Sequence, residues 1–172
     1  MPAFTLDEVR EATGAQLYKM EHEEFTDIVT DTRKITPGVL FLAFKGERFN
    51  GEDFVRDAVE KGASGVMVST GGPKERVAGL RTTGPIAPDT LAAYQQLAHA
   101  WRMRFSLPVV AITGSNGKTT TKDLTAAVLS ARGPVLKTQA NYNNEIGLPL
   151  TLLGLRKEHT AAVVEIGMRG LH

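Results

Sequence analysis

The chain has 172 residues, 42% of them hydrophobic, which is enough for one large core or two smaller ones. Its 20 basic and 19 acidic residues leave a formal charge of +1, so the charge does not indicate nucleic acid or an anionic membrane as a partner. The lack of cysteine excludes disulfides, thiolate metal sites and cysteine nucleophiles. With no signal-peptide pattern and no apolar run of roughly twenty residues, the sequence predicts a cytoplasmic globular protein without membrane insertion.

The first half of the sequence predicts a small α/β unit. A capping box over Thr5–Glu8 indicates the start of a short helix. Apolar runs over 25–29 and 39–44 predict strands, and residues 53–61 predict a helix.

The pattern then continues to a domain boundary. Residues 65–69 predict a further strand, and the glycine-rich stretch 70–79 is typical of a loop. Prolines and a glycine in 82–88 place the boundary at 84/85. The predicted domains are therefore 1–84 and 85–172.

The second domain begins with a helix that Asp89 caps, and this helix buries a face containing Trp101. Residues 108–113 predict a parallel strand covered on both faces, because the run lacks polar alternation. A helix over 118–131 follows. Its expected sheet-facing residues are Leu124, Ala127, Val128 and Ala131.

Two more strands, at 135–138 and 160–166, flank a short helix that ends near Leu153. The resulting β-α-β-α-β order predicts a parallel sheet with right-handed crossovers. Ligands of such sheets bind at the carboxyl ends of the strands. We therefore expect the chemistry of this half in the loops that follow its strands.

The first of these loops reads Thr113-Gly-Ser-Asn-Gly-Lys-Thr-Thr-Thr121. Gly114 and Gly117 allow backbone N–H groups to approach an anion, Lys118 supplies a mobile charge, and Thr119 is placed to hold magnesium. The loop is tighter than the general P-loop, because Ile112 stands where that pattern has its first glycine. The alternative is an ordinary glycine turn, which has no need of Lys118 or of three threonines.

Polar side chains follow the other two strands. Glu165 ends its strand, which we expect beside the phosphate-loop strand, so its carboxylate would reach the same magnesium. The alternative is an ion pair with a base such as Arg169. The loop 138–149 contains three asparagines and a glutamate, a composition that suits a polar ligand but also occurs in plain turns.

In the first half, Asp31-Thr32-Arg33 is expected near the turn Lys45-Gly46, where these residues would offer donors to a uracil ring and a diphosphate. Taken alone, three polar residues after a strand are usually a solvated loop. The four histidines show no spacing that indicates metal ligands.

Three segments together resemble the ATP-dependent Mur ligases, which build the peptide stem of peptidoglycan precursors. They are T-G-S-N-G-K-T-T-T-K at 113–122, D-T-R-x-I-x-x-G-x-L-F-x-A-F-x-G at 31–46 and V-E-I-G-M-R-G at 164–170. Within the family, N-Y-N-N-E-I-G-L-P at 141–149 is most similar to the members that add D-Ala-D-Ala to UDP-MurNAc-tripeptide. The resemblance covers essentially the whole chain.

The resemblance implies an α/β protein: a small N-terminal UDP-binding domain, then the first half of a P-loop-type ATPase domain with a parallel sheet. It implies ATP and Mg²⁺ as cofactors. ATP would phosphorylate the tripeptide carboxylate, and the amine of D-Ala-D-Ala would attack the acyl phosphate. The implied residues are Gly114, Ser115, Asn116, Gly117, Lys118, Thr119 and Thr120 for ATP; Thr119 and Glu165 for magnesium; Lys118 and Glu165 for catalysis; and Asp31, Thr32, Arg33, Lys45, Gly46, Asn144 and Glu145 for substrate.

Two features depart from the family pattern. Glu52 stands where relatives often have histidine beside the expected uridine pocket, and His172 stands where glycine is common. Family members also continue well beyond this length, so we expect a truncated, inactive part of a cytoplasmic, monomeric cell-wall enzyme with an exposed sheet edge. The alternatives are another Mur-type ligase, a folylpolyglutamate-type ligase, or a module that binds nucleotide or UDP-sugar without turnover.

Overall fold

The computed structural model describes residues 2–45, 50–71 and 75–167. The chain forms two compact units, Met1–Leu97 and Ala98–His172. Helices and parallel sheets occur in both, which confirms the predicted α/β class. In the part of the chain that the structure describes, no helix has the length and apolar character needed to cross a membrane.

The first unit is built on a five-stranded sheet. Its elements are β1 (Phe4–Thr5), α1 (Leu6–Thr13), β2 (Gln16–Lys19), β3 (Glu24–Phe25), β4 (Ile28–Val29), β5 (Leu40–Leu42), α2 (Val55–Glu60), β6 (Gly65–Ser69), α3 (Glu75–Ala78), β7 (Gly84–Ala87) and the start of α4 (Thr90–Met103). The strand order is β2-β7-β6-β5-β4, in which only β2 is antiparallel to its neighbour, and β1 pairs separately with β3. The carboxyl ends of β4 to β7 therefore meet at one edge.

Local sequence signals account for the helix ends in this unit. The Thr5 hydroxyl accepts a bond from the Glu8 backbone, and the Glu8 carboxylate accepts one from the Thr5 backbone, which is the predicted capping box. Gly14 ends α1 in the left-handed conformation. Asp89 accepts bonds from the backbone of Leu91 and Ala92 and so caps α4 as expected.

Three predictions for this unit change. The expected strand at 25–29 is broken into β3 and β4, because Asp27 accepts a bond from the adjacent Ile28 backbone and interrupts the ladder. The expected loop at 70–79 contains α3. The stretch that marked a boundary contains β7, because Ile86 and Ala87 pair with β6 and are buried; the compact units instead divide within α4.

The second unit has a three-stranded parallel sheet in the order β8-β10-β9. Besides the rest of α4, its elements are β8 (Val109–Ile112), α5 (Lys118–Leu129), β9 (Val135–Lys137), α6 (Gly147–Leu153) and β10 (Ala161–Glu165). Glu165 pairs in register with Ile112. The prediction that the glutamate strand lies beside the phosphate-loop strand is therefore confirmed.

The rotation of α5 differs from the prediction. Leu124 is 63% exposed and Val128 74% exposed, whereas Lys122 and Ala126 are buried. The helix carries two partly apolar stripes, and periodicity alone cannot choose between them. The choice is made at the start of α5, where Thr119 is hydrogen-bonded to the end of β10 and fixes the rotation.

The expectation that β8 is covered on both faces is also wrong. None of its residues is buried, and Ala111 is exposed. Within the described ranges β8 pairs with β10 alone, so it forms an edge of the sheet. The exposed sheet edge that the resemblance implied is present.

Candidate functional site

A loop with two glycines joins β8 to the amino end of α5. Gly114 has a φ of 143° and Gly117 a φ of 75°, values that favour glycine because other residues are strained there. Gly117 is also the residue before α5 and has no side chain with which to cap the helix. The first N–H groups of α5 are thus directed toward a space that suits an anion.

Lys118 lies over this loop, since its Nζ donates a hydrogen bond of 2.7 Å to the carbonyl oxygen of Gly114. Ser115, Asn116 and Thr120 are exposed around it. The lysine therefore brings a positive charge to the same loop as the uncapped helix start. An incoming phosphate would have its charge neutralised by both.

The buried carboxylate of Glu165 is the centre of the hydrogen-bond network beside the loop. One of its oxygens accepts from Thr119 Oγ1 at 3.0 Å, and the other from Asn143 Nδ2 at 2.8 Å. Its backbone N–H donates to Thr138 Oγ1 at 2.9 Å. These contacts bring together the carboxyl ends of all three strands of the second unit.

A hydroxyl and a carboxylate at hydrogen-bond distance form a donor set suited to a hard cation. Thr119 and Glu165 both offer oxygen, which Mg²⁺ prefers, and Mg²⁺ commonly keeps water and phosphate as its other ligands. No group of three or more His, Cys, Asp or Glu is placed to hold a metal among the described residues. The residues present therefore fit an ion shared with a phosphate rather than a cage of protein ligands.

The sequence did not predict two members of this network. Asn143 rather than Asn144 bonds to Glu165, while Asn144 Oδ1 accepts from Gly147 N at 2.8 Å and supports the start of α6. The other is Thr138, which is buried below Glu165. The run of three asparagines did signal a polar loop, but spacing alone could not say which amide turns inward.

Glu145, the other predicted substrate residue of this loop, is half-buried between Asn144 and Ile146. The same loop contains Ala140 at a φ of 46°, a left-handed conformation that is uncommon for a residue other than glycine. The loop thus stores some backbone strain close to the asparagine that contacts Glu165.

Charged residues continue along α5 away from the loop. Asp123 accepts a bond of 2.8 Å from Lys137 Nζ at the end of β9, and this bond lowers the pKa of the Asp123 carboxyl. The buried Lys122 has its Nζ 3.8 Å from the same carboxylate. This ion cluster joins α5 to β9 below the phosphate loop.

In the first unit, the predicted nucleotide residues lie after neighbouring parallel strands. Asp31 follows β4 and caps a short turn, Thr32–Lys34, and Lys45 follows β5. Since β4 and β5 are parallel and adjacent, both segments lie at the same edge of the sheet. The predicted partner Gly46 lies outside the described residues.

Asp31 and Arg33 form a two-pronged ion pair. Arg33 Nε lies 2.9 Å from one carboxylate oxygen of Asp31, and the terminal nitrogen lies 2.6 Å from the other. These side-chain bonds hold the pKa of the Asp31 carboxyl well below its usual range and raise that of Arg33. The guanidinium is fixed in direction although its side chain is 87% exposed.

Next to these strands is a cavity of about 330 Å³ at the ends of β5, β6 and β7. It is lined by Lys45, Ser69, Gly71, Pro88, Asp89, Thr90 and Leu91. Lys45 is exposed there, and its backbone pairs with that of Asn50 in an isolated antiparallel bridge.

Two family models match the chain over the ranges that contain these sites. The model described as "Mur ligase family, catalytic domain" matches residues 24–102, and the one described as "Mur ligase middle domain" matches residues 112–172. The first range includes Asp31 and Lys45, and the second includes the phosphate loop and Glu165.

Individual proteins give the same result. The UDP-N-acetylmuramoyl-tripeptide--D-alanyl-D-alanine ligase of Synechocystis sp. is 50% identical over 150 residues, which are 87% of this chain and 32% of that protein. A crystal structure of MurF from Acinetobacter baumannii has a TM-score of 0.88 and 36% identity, covering 98% of this chain and 37% of that one. A crystal structure of MurF ligase from Thermotoga maritima in complex with ADP has a TM-score of 0.70 and 32% identity, covering 82% and 32%. The chain spans about a third of the length of these relatives.

Proposed function

Because this chain belongs to the Mur ligase family, we propose that it carries the nucleotide-binding parts of an ATP-dependent amide ligase. The reaction joins D-Ala-D-Ala to UDP-MurNAc-tripeptide in peptidoglycan precursor synthesis. Relatives at up to 50% identity are named as ligases of these two substrates. We place the reaction in the cytoplasm, where ATP is available, and the whole enzyme acts as a monomer.

The observation that carries this proposal is the arrangement of Lys118, Thr119 and Glu165 around the uncapped start of α5. A loop that only turned the chain would not need a lysine on its own carbonyl and a threonine on a buried carboxylate 46 positions away. A structural relative was solved with ADP. ATP phosphates at the first turn of α5 would meet backbone N–H groups and Lys118 together.

Thr119 and Glu165 would hold a magnesium ion through their oxygens, while Asn143 fixes the other carboxylate oxygen of Glu165 and Thr138 fixes its backbone N–H. When bound, the ion supplies charge neutralisation for the phosphoryl group that ATP transfers. Lys118 adds a second positive charge from the loop. Asn143 and Thr138 act indirectly, because they keep Glu165 in one orientation.

Phosphoryl transfer and attack by an amine leave little covalent chemistry to the protein. The γ-phosphoryl group passes to the tripeptide carboxylate and ADP leaves; the D-Ala-D-Ala amine then displaces inorganic phosphate, giving the amide and releasing one proton. The contribution of this chain is to hold reactants in place and to stabilise developing charge. Asn144 and Glu145 are assigned to the side of the loop that faces the substrate.

The first unit is assigned to the UDP group. Arg33, fixed by Asp31, and Lys45 are cations at one sheet edge, where they would contact the diphosphate. Thr32 and Gly46 complete the residues that we assign to this pocket. Uracil and ribose would then be recognised by polar groups of the same edge.

The test is a set of calorimetric titrations of the 172-residue chain with Mg-ATP and, separately, with UDP-MurNAc-tripeptide. We expect both to bind, and we expect no phosphate release when D-Ala-D-Ala is added, since the chain spans about a third of its relatives. Failure to bind UDP-MurNAc-tripeptide would favour a folylpolyglutamate-type ligase instead. Turnover by the chain would contradict its assignment as a binding portion.

A further inference from the structure

Glu52 is a buried carboxylate in the first unit, with only 3% of the residue exposed. Its Oε1 accepts two hydrogen bonds from Ser69, one from the backbone N–H at 3.0 Å and one from the hydroxyl at 2.7 Å. Burying a carboxylate costs free energy unless such donors compensate for lost water. Glu52 is therefore tied specifically to the residue that ends β6.

The backbone on either side of Glu52 is tied to the end of β5. Gly51 donates to the carbonyl of Phe44 at 2.7 Å, and a Cβ at this glycine would lie 2.7 Å from the Phe44 nitrogen. Asn50 Oδ1 accepts from the Glu52 N–H at 3.1 Å. The turn that begins at Asn50 thus fits closely against Phe44, and no larger residue fits in place of Gly51.

These contacts link two walls of one cavity. Lys45 and Ser69 both line the space of about 330 Å³ at the ends of β5 and β6. Lys45 is bridged to Asn50, and Ser69 is bonded to Glu52 two residues later. Asp89, the acidic group of the lining, is engaged as the cap of α4. Among the lining residues that the structure describes, Lys45 is the one with a positive charge.

We propose that Glu52 is a positioning residue for the UDP group. Its side chain is bonded to Ser69 on one side of the cavity, and the turn that contains it is bridged to Lys45 on the other side, so Glu52 sets where the Lys45 amine meets the diphosphate. The inference rests on the proposed function, because it needs UDP to bind at this sheet edge. Glu52 acts through Ser69 and the Asn50–Lys45 bridge and does not itself contact the ligand. Direct contact is unfavourable, because the carboxylate of Glu52 and the diphosphate are both negatively charged and would repel each other.

The experiment is a calorimetric titration of the 172-residue chain with UDP, paired with a thermal melt of each variant. Glu52→Gln keeps an oxygen that can accept both Ser69 bonds, so it should bind UDP within about threefold of wild type. Glu52→Ala removes the acceptor and should weaken UDP binding by about tenfold or more. The matched control is Thr82→Ala, which removes a buried hydroxyl bonded to the Ser64 carbonyl before β6; it should lower the melting temperature without changing UDP affinity.

Lys45→Ala separates failure of this inference from failure of the proposed function. If Lys45→Ala weakens UDP binding while Glu52→Ala does not, the positioning role is wrong and the nucleotide site stands. If wild type does not bind UDP, or Lys45→Ala binds as wild type does, the nucleotide site itself is wrong. If Glu52→Gln and Glu52→Ala weaken UDP binding equally, the positioning role is also wrong, because UDP affinity would then depend on the charge of Glu52 and not on its bonds with Ser69.

Ser69→Ala keeps the test usable if Glu52→Ala does not fold. It removes the 2.7 Å hydroxyl bond and retains the backbone bond. The melting temperature should fall, because the buried carboxylate loses a donor. UDP binding that is weaker at a temperature where the variant is still folded supports the proposal, and unchanged binding contradicts it. In the Glu52→Gln background the same substitution should weaken UDP binding by the same factor as in wild type, because the amide oxygen preserves the contact.

Discussion

Glu165 offers a way to separate the structural and metal-binding parts of the proposed active site with two substitutions. Glu165→Gln keeps the size and most of the hydrogen-bonding capacity of the side chain but removes its charge. Glu165→Ala removes both. The two variants should therefore agree in their response to magnesium and differ in stability.

The contacts of Glu165 give the expected magnitudes. Glu165→Ala deprives Thr119 and Asn143 of a charged acceptor, and each such bond contributes about 1.5–3 kcal/mol. Thr119 is exposed and can bond to water instead, so we expect a net loss of about 2–4 kcal/mol of unfolding free energy. In Glu165→Gln, the amide oxygen accepts from Asn143 and the amide nitrogen donates to Thr119, so the loss should stay below about 1 kcal/mol.

The assay measures ATP affinity by calorimetry with magnesium and with chelator, alongside unfolding in urea. For wild type we expect magnesium to tighten ATP binding by about tenfold or more, which is about 1.4 kcal/mol. Both variants should lose this gain and keep the affinity measured in chelator. Glu158→Gln, at an exposed position of the same unit, is the matched control and should behave as wild type.

Two results would contradict the roles given to Glu165. If Glu165→Gln keeps the full magnesium effect, the carboxylate is not a magnesium ligand. If Glu165→Gln is as unstable as Glu165→Ala, the network depends on the charge and the bonds assigned to Thr119 and Asn143 are not its main support.

Three further predictions concern stability. Ala140→Gly should raise the free energy of unfolding in urea by up to about 1 kcal/mol, because it relieves an alanine in the left-handed conformation. The control Ala126→Gly, inside α5, should lower it by about 1 kcal/mol or more. A lower free energy of unfolding in Ala140→Gly would contradict the backbone strain. Asp31→Asn should be less stable than wild type at neutral pH. Because the pKa of Asp31 is lowered in the folded protein, its stabilisation is lost when the carboxylate is protonated, so the difference in stability should vanish as the pH falls well below about 4. A difference that persists in acid would rule out the ion pair. Leu124→Lys should change stability by less than about 0.5 kcal/mol in a thermal melt, because the side chain is exposed, and a large loss would mean that this face is covered.

Features that depend on neighbouring residues were predictable from the sequence. The capping box at Thr5, the end of α1 at Gly14 and the cap at Asp89 each involve residues within four positions of one another. The strand, glycine loop and helix around Lys118 are also continuous in sequence. Such signals need no knowledge of the rest of the fold.

Features that depend on residues far apart were not predictable. The contact of Glu52 with Ser69 joins a turn to the end of β6, and nothing in either segment indicates the other. Asn143 and Asn144 are chemically identical, and only the path of the loop decides that Asn143 turns toward Glu165. The rotation of α5 is likewise fixed by a contact between Thr119 and another strand.

The proposed function depends on the loop before α5, which we propose binds the phosphates of ATP through Lys118 and the helix start. The test is a titration of Mg-ATP into wild type and into Lys118→Ala, with unfolding in urea as the control for the second unit and UDP binding as the control for the first unit. We expect saturable Mg-ATP binding by wild type, loss of that binding in Lys118→Ala, and equal UDP binding by both. Equal Mg-ATP affinity in the two proteins would contradict it.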